Sequence, residues 1–179
     1  MLVKRRFLIF LIFIAIFSVA YSIGSESNIS EEDSKSFVKE FQHTVEGIDA
    51  IGIFTHNTTV ALPMFVPGFG IAWGSFAAWS TGLAFKALVS TTPALAKLPP
   101  LAIIYLSPFG VMELIAYSIG MSRSFLLINA ILRRGNLREA LRPTVIEIGI
   151  VVALLLAAAF IEYAMIQQFG STLVNPKAH

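Results

Sequence analysis

Four long apolar runs constrain the fold of this chain more than any other feature. They cover residues 7–23, 51–89, 101–121 and 144–166. A helix that crosses a bilayer needs about 20 consecutive, mostly apolar residues, because lipid cannot satisfy open backbone hydrogen bonds. Hydrophobic residues make up 56% of the chain and charged residues 13%, whereas soluble domains have about 45–50% and about 25%. The sequence therefore predicts an all-α, polytopic helical bundle in the cell membrane.

The first apolar run follows three basic residues at positions 4–6. As a helix, residues 7–23 reach about 25 Å, which is just enough to cross the membrane. The alternative is a signal peptide with a cleavage site that ends at Ala20. Because the apolar run is long for a signal peptide, we favour an uncleaved anchor over residues 1–23.

The second apolar run, residues 51–89, is about twice as long as one span requires. The stretch "PMFVPGFG" at 63–70 interrupts it with two prolines and two glycines, which are strong turn signals. Two alternatives follow. The run is either one kinked helix or a hairpin of two spans, over about 51–66 and 70–89.

Basic residues decide between these alternatives, because cytoplasmic loops carry an excess of lysine and arginine. Five arginines follow the third run, and they share a side with residues 4–6 only if an even number of spans lies between residues 24 and 100. The hairpin meets this condition, so we predict about five spans, with the N-terminus inside and the C-terminus outside. The arginines are Arg123, Arg133, Arg134, Arg138 and Arg142. The predicted spans are residues 7–23, 51–66, 70–89, 101–121 and 144–166.

The segment between the first two runs is polar and acidic. Ser30 and Asp33 imitate a helix-capping box, with aspartate in the place of the usual glutamate. Apolar residues then recur every three or four positions, so we expect an amphipathic helix over about 31–47 on the outer side.

The arginine-rich segment, residues 122–142, predicts a further helix at the inner membrane interface, broken at Gly135-Asn136. Its arginines are expected to contact anionic lipid headgroups, at about 1 kcal/mol each. Lipid is favoured over nucleic acid because the arginines flank membrane spans. The chain thus divides into an anchor (1–23), an acidic segment (24–50), a membrane domain (51–168) and a tail (169–179).

Small residues recur at every fourth position in two predicted spans, which places them along one face of each helix. In lipid, helices associate through close packing, and small residues permit close approach. We favour packing within the chain; the alternative is that one ridge docks a partner subunit. The residues are Gly70, Gly74, Ala78 and Gly82 in the third span and Gly149, Ala153 and Ala157 in the last.

Glu113 lies deep in the predicted span 101–121, about 12 Å from its inner end. A charged carboxylate at this depth costs about 2.5–3.5 kcal/mol, so we expect it to be protonated or hydrogen-bonded inside the bundle. Ser80 and Thr81 fall at a similar depth and are the candidate partners. Pro108 is expected to bend the helix that carries Glu113.

Two other acids lie in the last span at less costly positions. Glu147 is expected one turn into the helix, where the helix N-terminus favours negative charge. Glu162 is expected near the outer end, where its carboxylate can reach the interface. Glu113 is therefore the one carboxylate that the sequence places at mid-membrane.

No group of residues forms a recognisable catalytic or metal-binding pattern. The chain has no cysteine, which excludes thiol catalysis and iron–sulfur clusters. Two histidines and two acids around the start of the second run match no specific metal motif; they are His43, Glu46, Asp49 and His56. We therefore predict no catalytic, cofactor-binding or metal-binding residues, and no enzymatic activity for this chain by itself.

The runs "FTHNTTVALPMFVPGFGIAWGSF" and "LSPFGVMELIAYSIGMSRSF" resemble the stage II sporulation protein M family of prokaryotic membrane proteins, over about residues 50–165. That family has an asparagine that opens one span and a Pro-His-Gly-x-x-Glu signature in a later span. Phe109 stands where the family usually has histidine, which argues against a role that needs an imidazole. The matching residues are Asn57, Pro108, Gly110 and Glu113. The resemblance implies a helical membrane protein without known catalytic activity, similar to the scaffolds that hold cell-wall hydrolases at the membrane of sporulating bacteria.

Two functional hypotheses follow. The favoured one is a non-catalytic membrane scaffold or accessory subunit that packs in a larger complex, for example a small helical subunit of a membrane-embedded oxidoreductase or monooxygenase. Its expected partners are membrane lipids and other membrane protein subunits, and not nucleic acid. The alternative is a transporter or channel component that uses Glu113 in a site formed by broken helices. An intramembrane enzyme would need paired catalytic groups at one depth, which the sequence does not indicate.

Overall fold

The computed structural model describes residues 2–45, 47–91 and 99–174, and this part of the chain is helical apart from short connections. No strand occurs within these ranges, so the predicted all-α fold is confirmed. The elements are α1 (Leu2–Glu26), α2 (Glu31–Val45), α3 (Ala50–Ala61), a 3-10 helix η1 (Leu62–Phe65), α4 (Phe69–Thr91), α5 (Pro100–Leu106), α6 (Pro108–Leu132) and α7 (Leu137–Val174).

Three helices in the described ranges are long and apolar enough to cross a membrane: Lys4–Glu26, Pro108–Leu132 and Leu137–Gln168. The chain thus has the character of a membrane protein, as predicted, but the count of five spans is not supported. Helices α3 and α5 have only 12 and 7 residues, fewer than the about 20 that a span needs. Helix α4 has 23 residues, yet glycine, serine and threonine interrupt its apolar character, and it is not one of the three.

The region predicted as a hairpin folds as α3 and η1 followed by α4. Asp49 caps α3, because its Oδ1 accepts a hydrogen bond from the Gly52 backbone at 2.7 Å. The chain reverses at Gly68, whose φ of +76° is a conformation that glycine adopts without strain. This turn packs on α6, where Ser124 Oγ donates to the Val66 carbonyl at 2.6 Å. The two arms are joined by a further hydrogen bond, in which Trp73 Nε1 of α4 donates to the Val60 carbonyl of α3 at 2.9 Å.

The predicted span 101–121 is two helices and not one bent helix. Ser107 is extended, with φ −86° and ψ 132°, and its Oγ accepts a hydrogen bond from the Gly110 backbone at 3.1 Å. Pro108 is the first residue of α6, a position where its missing N–H costs nothing. The prediction that Pro108 bends a continuous helix is therefore wrong, because the chain stops at Ser107 and starts again.

Helix α6 continues to Leu132, so the predicted interfacial helix over 122–142 does not form. Residues 122–124 are buried inside the bundle, and residues 137–142 belong to α7. The predicted break at Gly135-Asn136 is confirmed. Gly135 donates its backbone N–H to the Ala130 carbonyl at 2.8 Å, which closes a tight turn between α6 and α7.

The small-residue ridge of α4 packs against other helices of the same chain. A side chain at Gly82 would collide with the backbone carbonyl of Tyr21 in α1, and one at Gly74 would collide with the side chain of Met121 in α6. A side chain at Gly70 would likewise collide with the Met64 carbonyl of η1. Ala78 is fully buried. These glycines let α4 approach α1 and α6 closely.

The ridge of α7 has a different environment. Gly149, Ala153 and Ala157 are all exposed, and a side chain added at Gly149 would meet nothing within 4 Å. Apolar neighbours such as Ile146 and Ile150 are exposed on the same helix. This part of α7 thus faces outward from the bundle.

The acidic segment forms α2, close to the predicted range. Ser30 caps the helix, since its Oγ accepts a hydrogen bond from the Asp33 backbone at 3.0 Å. Val38 and Ser34 are buried, and the helix packs against α4. The polar side of α2 remains exposed, as its amphipathic pattern indicates.

Candidate functional site

Seven polar side chains line one cavity of about 520 Å³. Each of the seven α-helices contributes at least one residue to its walls, and α2 contributes Phe37. The polar lining residues are His56, Asn57, Ser80, Thr81, Glu113, Tyr117 and Glu162. Apolar residues such as Phe17, Ile53 and Leu114 line the remainder. The cavity has the size and mixed lining that are typical of sites for small ligands.

Glu113 is hydrogen-bonded to Asn57 in this cavity. The Nδ2 atom of Asn57 donates to Glu113 Oε1 at 2.6 Å, and Asn57 is itself buried. The sequence analysis named Ser80 and Thr81 as the candidate partners of Glu113. Both line the cavity, but Thr81 Oγ1 donates to the Ala77 carbonyl of its own helix at 2.8 Å. Glu113 is therefore hydrogen-bonded inside the bundle, as predicted, but to a different side chain.

Glu162 lines the same cavity as Glu113. The prediction that its carboxylate reaches out from the end of the span is corrected, because α7 turns Glu162 toward the cavity. The two carboxylates belong to different helices, α6 and α7, which pack along each other. Nothing charged was expected near Glu113 from the sequence, so the second carboxylate is new information from the tertiary structure.

Aromatic rings form one wall of the cavity. Phe17 of α1 stacks on Tyr117 of α6, with ring centroids 5.8 Å apart and an interplanar angle of 27°. Tyr117 lies one helical turn after Glu113, so an acid and an aromatic ring share one face of α6. Aromatic faces attract cations. This wall therefore favours a positively charged ligand, as the carboxylates do.

A second polar cluster lies at the start of α1. Glu147 Oε1 accepts from Arg6 Nε at 2.9 Å and from Arg123 Nη2 at 2.5 Å, and Glu147 Oε2 accepts from Arg123 Nε at 2.7 Å. Arg6 Nη1 also donates to Ser122 Oγ at 2.8 Å. We call these four residues the arginine cluster. It joins α1, α6 and α7 in a charge-assisted hydrogen-bond network.

The arginine cluster corrects two predictions. Arg123 was expected on a helix at the membrane interface, together with the other four arginines, but it lies inside the bundle with only 7% of its surface exposed. Glu147 was expected near a helix N-terminus, but α7 begins at Leu137, so two guanidinium groups compensate its charge instead of the helix dipole. The other four arginines are exposed around the turn between α6 and α7, at Arg133, Arg134, Arg138 and Arg142.

A simple pattern in the sequence points to the Arg123–Glu147 pair. Arg123 lies ten residues before Arg133, and Glu147 lies ten residues after Leu137. Two antiparallel helices joined by the short turn between those positions bring the two residues to the same height. No comparable rule predicts Arg6, because α1 is more than 100 residues away in the chain.

Metal binding receives no support from the part of the chain that the structure describes. No group of three or more histidine, aspartate or glutamate side chains gathers there in a way that could hold a metal ion. The side chain of His43 and the whole of Glu46 lie outside the described residues, while His56 lines the cavity.

The residues behind the family resemblance come together around the cavity. Asn57 and Glu113 share a hydrogen bond, Gly110 lines the wall one turn before Glu113, and Pro108 starts the helix that carries both. Neither the curated proteins nor the solved structures include a match to this chain. A family model described as Stage II sporulation protein M matches residues 7–165, from the first apolar run to the end of the last. That match covers most of the chain, and the protein therefore belongs to the stage II sporulation protein M family.

Proposed function

We propose that this protein is a membrane component without enzymatic activity that binds a small organic cation in the cavity around Glu113, as part of a transport or channel unit. The observation that carries the proposal is the presence of two carboxylates, from Glu113 and Glu162, in one cavity of about 520 Å³. Acids inside a membrane bundle are costly and often mark substrate or ion pathways. A bound cation offsets that cost.

The lining of the cavity favours an organic cation. The stacked rings of Phe17 and Tyr117 offer aromatic faces, and apolar side chains such as Leu114 surround them. Alkylammonium groups are recognised by this combination of aromatic faces and nearby negative charge. Asn57 supports Glu113 with its hydrogen bond and thus holds the carboxylate in place.

Broken helices beside the cavity support a transport role. The chain is interrupted at Ser107, one turn before the cavity-lining Gly110. The arm that carries Asn57 changes from α-helix to 3-10 helix after Ala61. Discontinuous helices line the substrate sites of many transporters, and here both interruptions flank the Asn57–Glu113 pair.

The test compares choline with its uncharged isostere 3,3-dimethyl-1-butanol in detergent-solubilised protein. We expect measurable choline binding by calorimetry and none for the alcohol. Glu113→Gln and Glu162→Gln should each weaken choline binding about tenfold, which corresponds to about 1.4 kcal/mol. Glu32→Gln, on the exposed side of α2, is the matched control and should bind as the unchanged protein does. Equal binding of both compounds, or full affinity in both cavity variants, would rule out the proposal.

Glu113 variants also separate a structural role from a binding role. Glu113→Gln keeps a hydrogen-bonding side chain for Asn57, so we expect the thermal unfolding temperature to stay close to that of the unchanged protein. Glu113→Leu leaves the buried Asn57 amide without its partner, which should cost about 1–3 kcal/mol. Thermal unfolding in mild detergent measures both variants. A large loss of stability in the glutamine variant would contradict this expectation.

The proposed orientation has the N-terminus inside and the C-terminus outside. An odd number of spans places the two termini on opposite sides of the membrane. Three spans, in α1, α6 and α7, therefore support the same orientation as the five spans predicted from the sequence. In this orientation the exposed arginines between α6 and α7 share the inner side with Lys4 and Arg5, which agrees with the excess of basic residues in cytoplasmic segments.

Labelling in intact cells tests this orientation. The chain has no cysteine, so a single introduced cysteine is the only thiol to label. We expect an impermeant maleimide to modify Lys177→Cys and to leave Gly135→Cys unmodified until the cells are opened. The reverse pattern would invert the proposed topology.

A second candidate function is the accessory subunit of a larger membrane complex, which includes a small helical subunit of an oxidoreductase or monooxygenase. The exposed row of Gly149, Ala153 and Ala157 on α7 favours it, because such rows let a second helix approach closely. Co-purification in mild detergent is the test. Gly149→Leu should release a partner subunit while the chain itself stays folded, and a chain that is always isolated alone would contradict this candidate.

A further inference from the structure

We propose that Arg6 and Arg123 together form a specific binding site for a phosphate group, supplied by an anionic phospholipid of the inner leaflet. The site is the arginine cluster at the start of α1. It differs from diffuse attraction between exposed arginines and a charged surface, because Arg123 is buried and both guanidinium groups are positioned by Glu147.

The arginine cluster has more positive than negative charge. Two guanidinium groups share the single carboxylate of Glu147. In the described part of the chain, no second carboxylate pairs with Arg6 or Arg123. The partly buried cluster therefore keeps one excess positive charge, and buried charges in proteins are normally paired. An anion from outside the chain completes the balance.

The two guanidinium groups of the arginine cluster also have unused hydrogen-bond donors. A guanidinium group has five N–H donors and no acceptor. Arg6 donates through Nε and Nη1, and Arg123 donates through Nε and Nη2. Among the residues that the structure describes, none accepts a hydrogen bond from Arg6 Nη2 or Arg123 Nη1. Arginine donors of this kind recognise phosphate oxygens, frequently through two parallel hydrogen bonds.

Access to the cluster comes through Arg6. Its side chain is 24% exposed, whereas that of Arg123 is 8% exposed. A ligand therefore approaches from the side of α1, where Lys4 and Arg5 are exposed next to Arg6. Arg123, which both carboxylate oxygens of Glu147 hold in place, then contributes its positive charge from inside the bundle.

The position of the cluster selects a lipid as the source of the phosphate. Arg6 immediately precedes the apolar run of α1, and from Glu147 about 20 residues of α7 extend across the about 30 Å of the hydrocarbon core. The cluster thus lies at the level of the headgroups. Phe7 and Ile150 are exposed beside it on the membrane side, where acyl chains can pack. Basic pockets between helices at this level are known to bind anionic headgroups.

Native mass spectrometry in neutral detergent tests the proposal, with phosphatidylglycerol and phosphatidylcholine of identical acyl chains as probes. We expect phosphatidylglycerol to bind at least about tenfold more tightly. Arg6→Gln should remove most of this preference, because it takes away the accessible guanidinium group and leaves Arg123 paired with Glu147. Arg5→Gln is the matched control: it removes the same charge from the neighbouring exposed position and should retain the preference.

A lysine variant, a folding check and competition with inorganic phosphate complete the experiment. Arg6→Lys restores the charge without the planar donors and should recover only part of the preference, which separates bidentate recognition from simple attraction. Circular dichroism of each variant confirms that it is folded. An equal loss in Arg5→Gln and Arg6→Gln would overturn the proposal, since it would show only diffuse attraction. Millimolar inorganic phosphate that displaces phosphatidylglycerol completely would overturn the lipid as the source.

Discussion

Glu147→Leu is expected to lower the free energy of unfolding by about 3–5 kcal/mol, because it leaves two positive side chains inside the bundle without a counter-ion. Arg6 and Arg123 both donate to this one carboxylate, and Arg123 is almost fully buried. The leucine variant also removes the connection between α1 and the hairpin of α6 and α7. Thermal or denaturant unfolding in mild detergent, followed by circular dichroism, measures the effect.

Two comparison variants make this result specific. Glu32→Leu replaces an exposed acid of α2, and its effect should stay below about 0.5 kcal/mol. Replacement of all three charged residues, Arg6, Arg123 and Glu147, by leucine should recover most of the stability, since an apolar set leaves no unpaired charge. If the triple variant were as unstable as Glu147→Leu, the loss would come from packing and not from the orphaned charges.

Gly82→Val is expected to destabilise the fold by about 3 kcal/mol or to prevent folding, at the upper end of what overpacking causes. A side chain at this position would overlap the Tyr21 carbonyl and approach the Ser25 backbone nitrogen to 2.8 Å. Backbone atoms inside a packed helix pair cannot move aside as a flexible side chain does. The variant therefore forces α1 and α4 apart along their whole contact.

Gly149→Val is the matched control for this prediction. It introduces the same change in another membrane helix, at a position where the new side chain meets nothing within 4 Å. Both variants gain the same isopropyl side chain, so differences in helix propensity cancel. The yield of folded monomer by size-exclusion chromatography and the unfolding temperature should fall for Gly82→Val only. Similar losses in both variants would show that steric contact between α1 and α4 is not the cause.

The family match and the cavity bear on two different functional hypotheses for this membrane protein. Membership of the stage II sporulation protein M family is compatible with a scaffold, which was the favoured hypothesis from the sequence. The cavity that Glu113 shares with Glu162 favours the alternative hypothesis, a component of a transport unit. The choline experiment and the co-purification experiment distinguish them, because the first depends on the cavity and the second on the outer face of α7.

Prediction of the helices from sequence succeeded where local chemistry decides the outcome. The cap at Ser30 and the break at Gly135-Asn136 form as expected, because capping and turn preferences involve residues only a few positions apart. The span count went beyond what such local patterns support. Residues 101–121 were predicted as one helix, whereas Ser107 stops α5 and caps α6 with its own side chain.

Local patterns carried less information about side-chain partners. Glu113 was recognised as buried from its depth in an apolar run, but its partner is Asn57 of α3. Glu162 was assigned to the end of a span, although it lines the same cavity. Each of these contacts joins helices that are distant in the chain, and a hydropathy pattern does not say which faces of two helices meet.

By itself, the sequence determined that this chain is a helical membrane protein, that its basic residues gather near the N-terminus and after the third apolar run, and that Glu113 is buried. Those properties follow from composition and from the period of an α-helix, which each segment carries independently. Only the tertiary structure decided which acids share the cavity and which arginines share Glu147. The physical reason is that close packing at a few glycines, such as Gly82 against Tyr21, sets the rotation and depth of each helix relative to its neighbours.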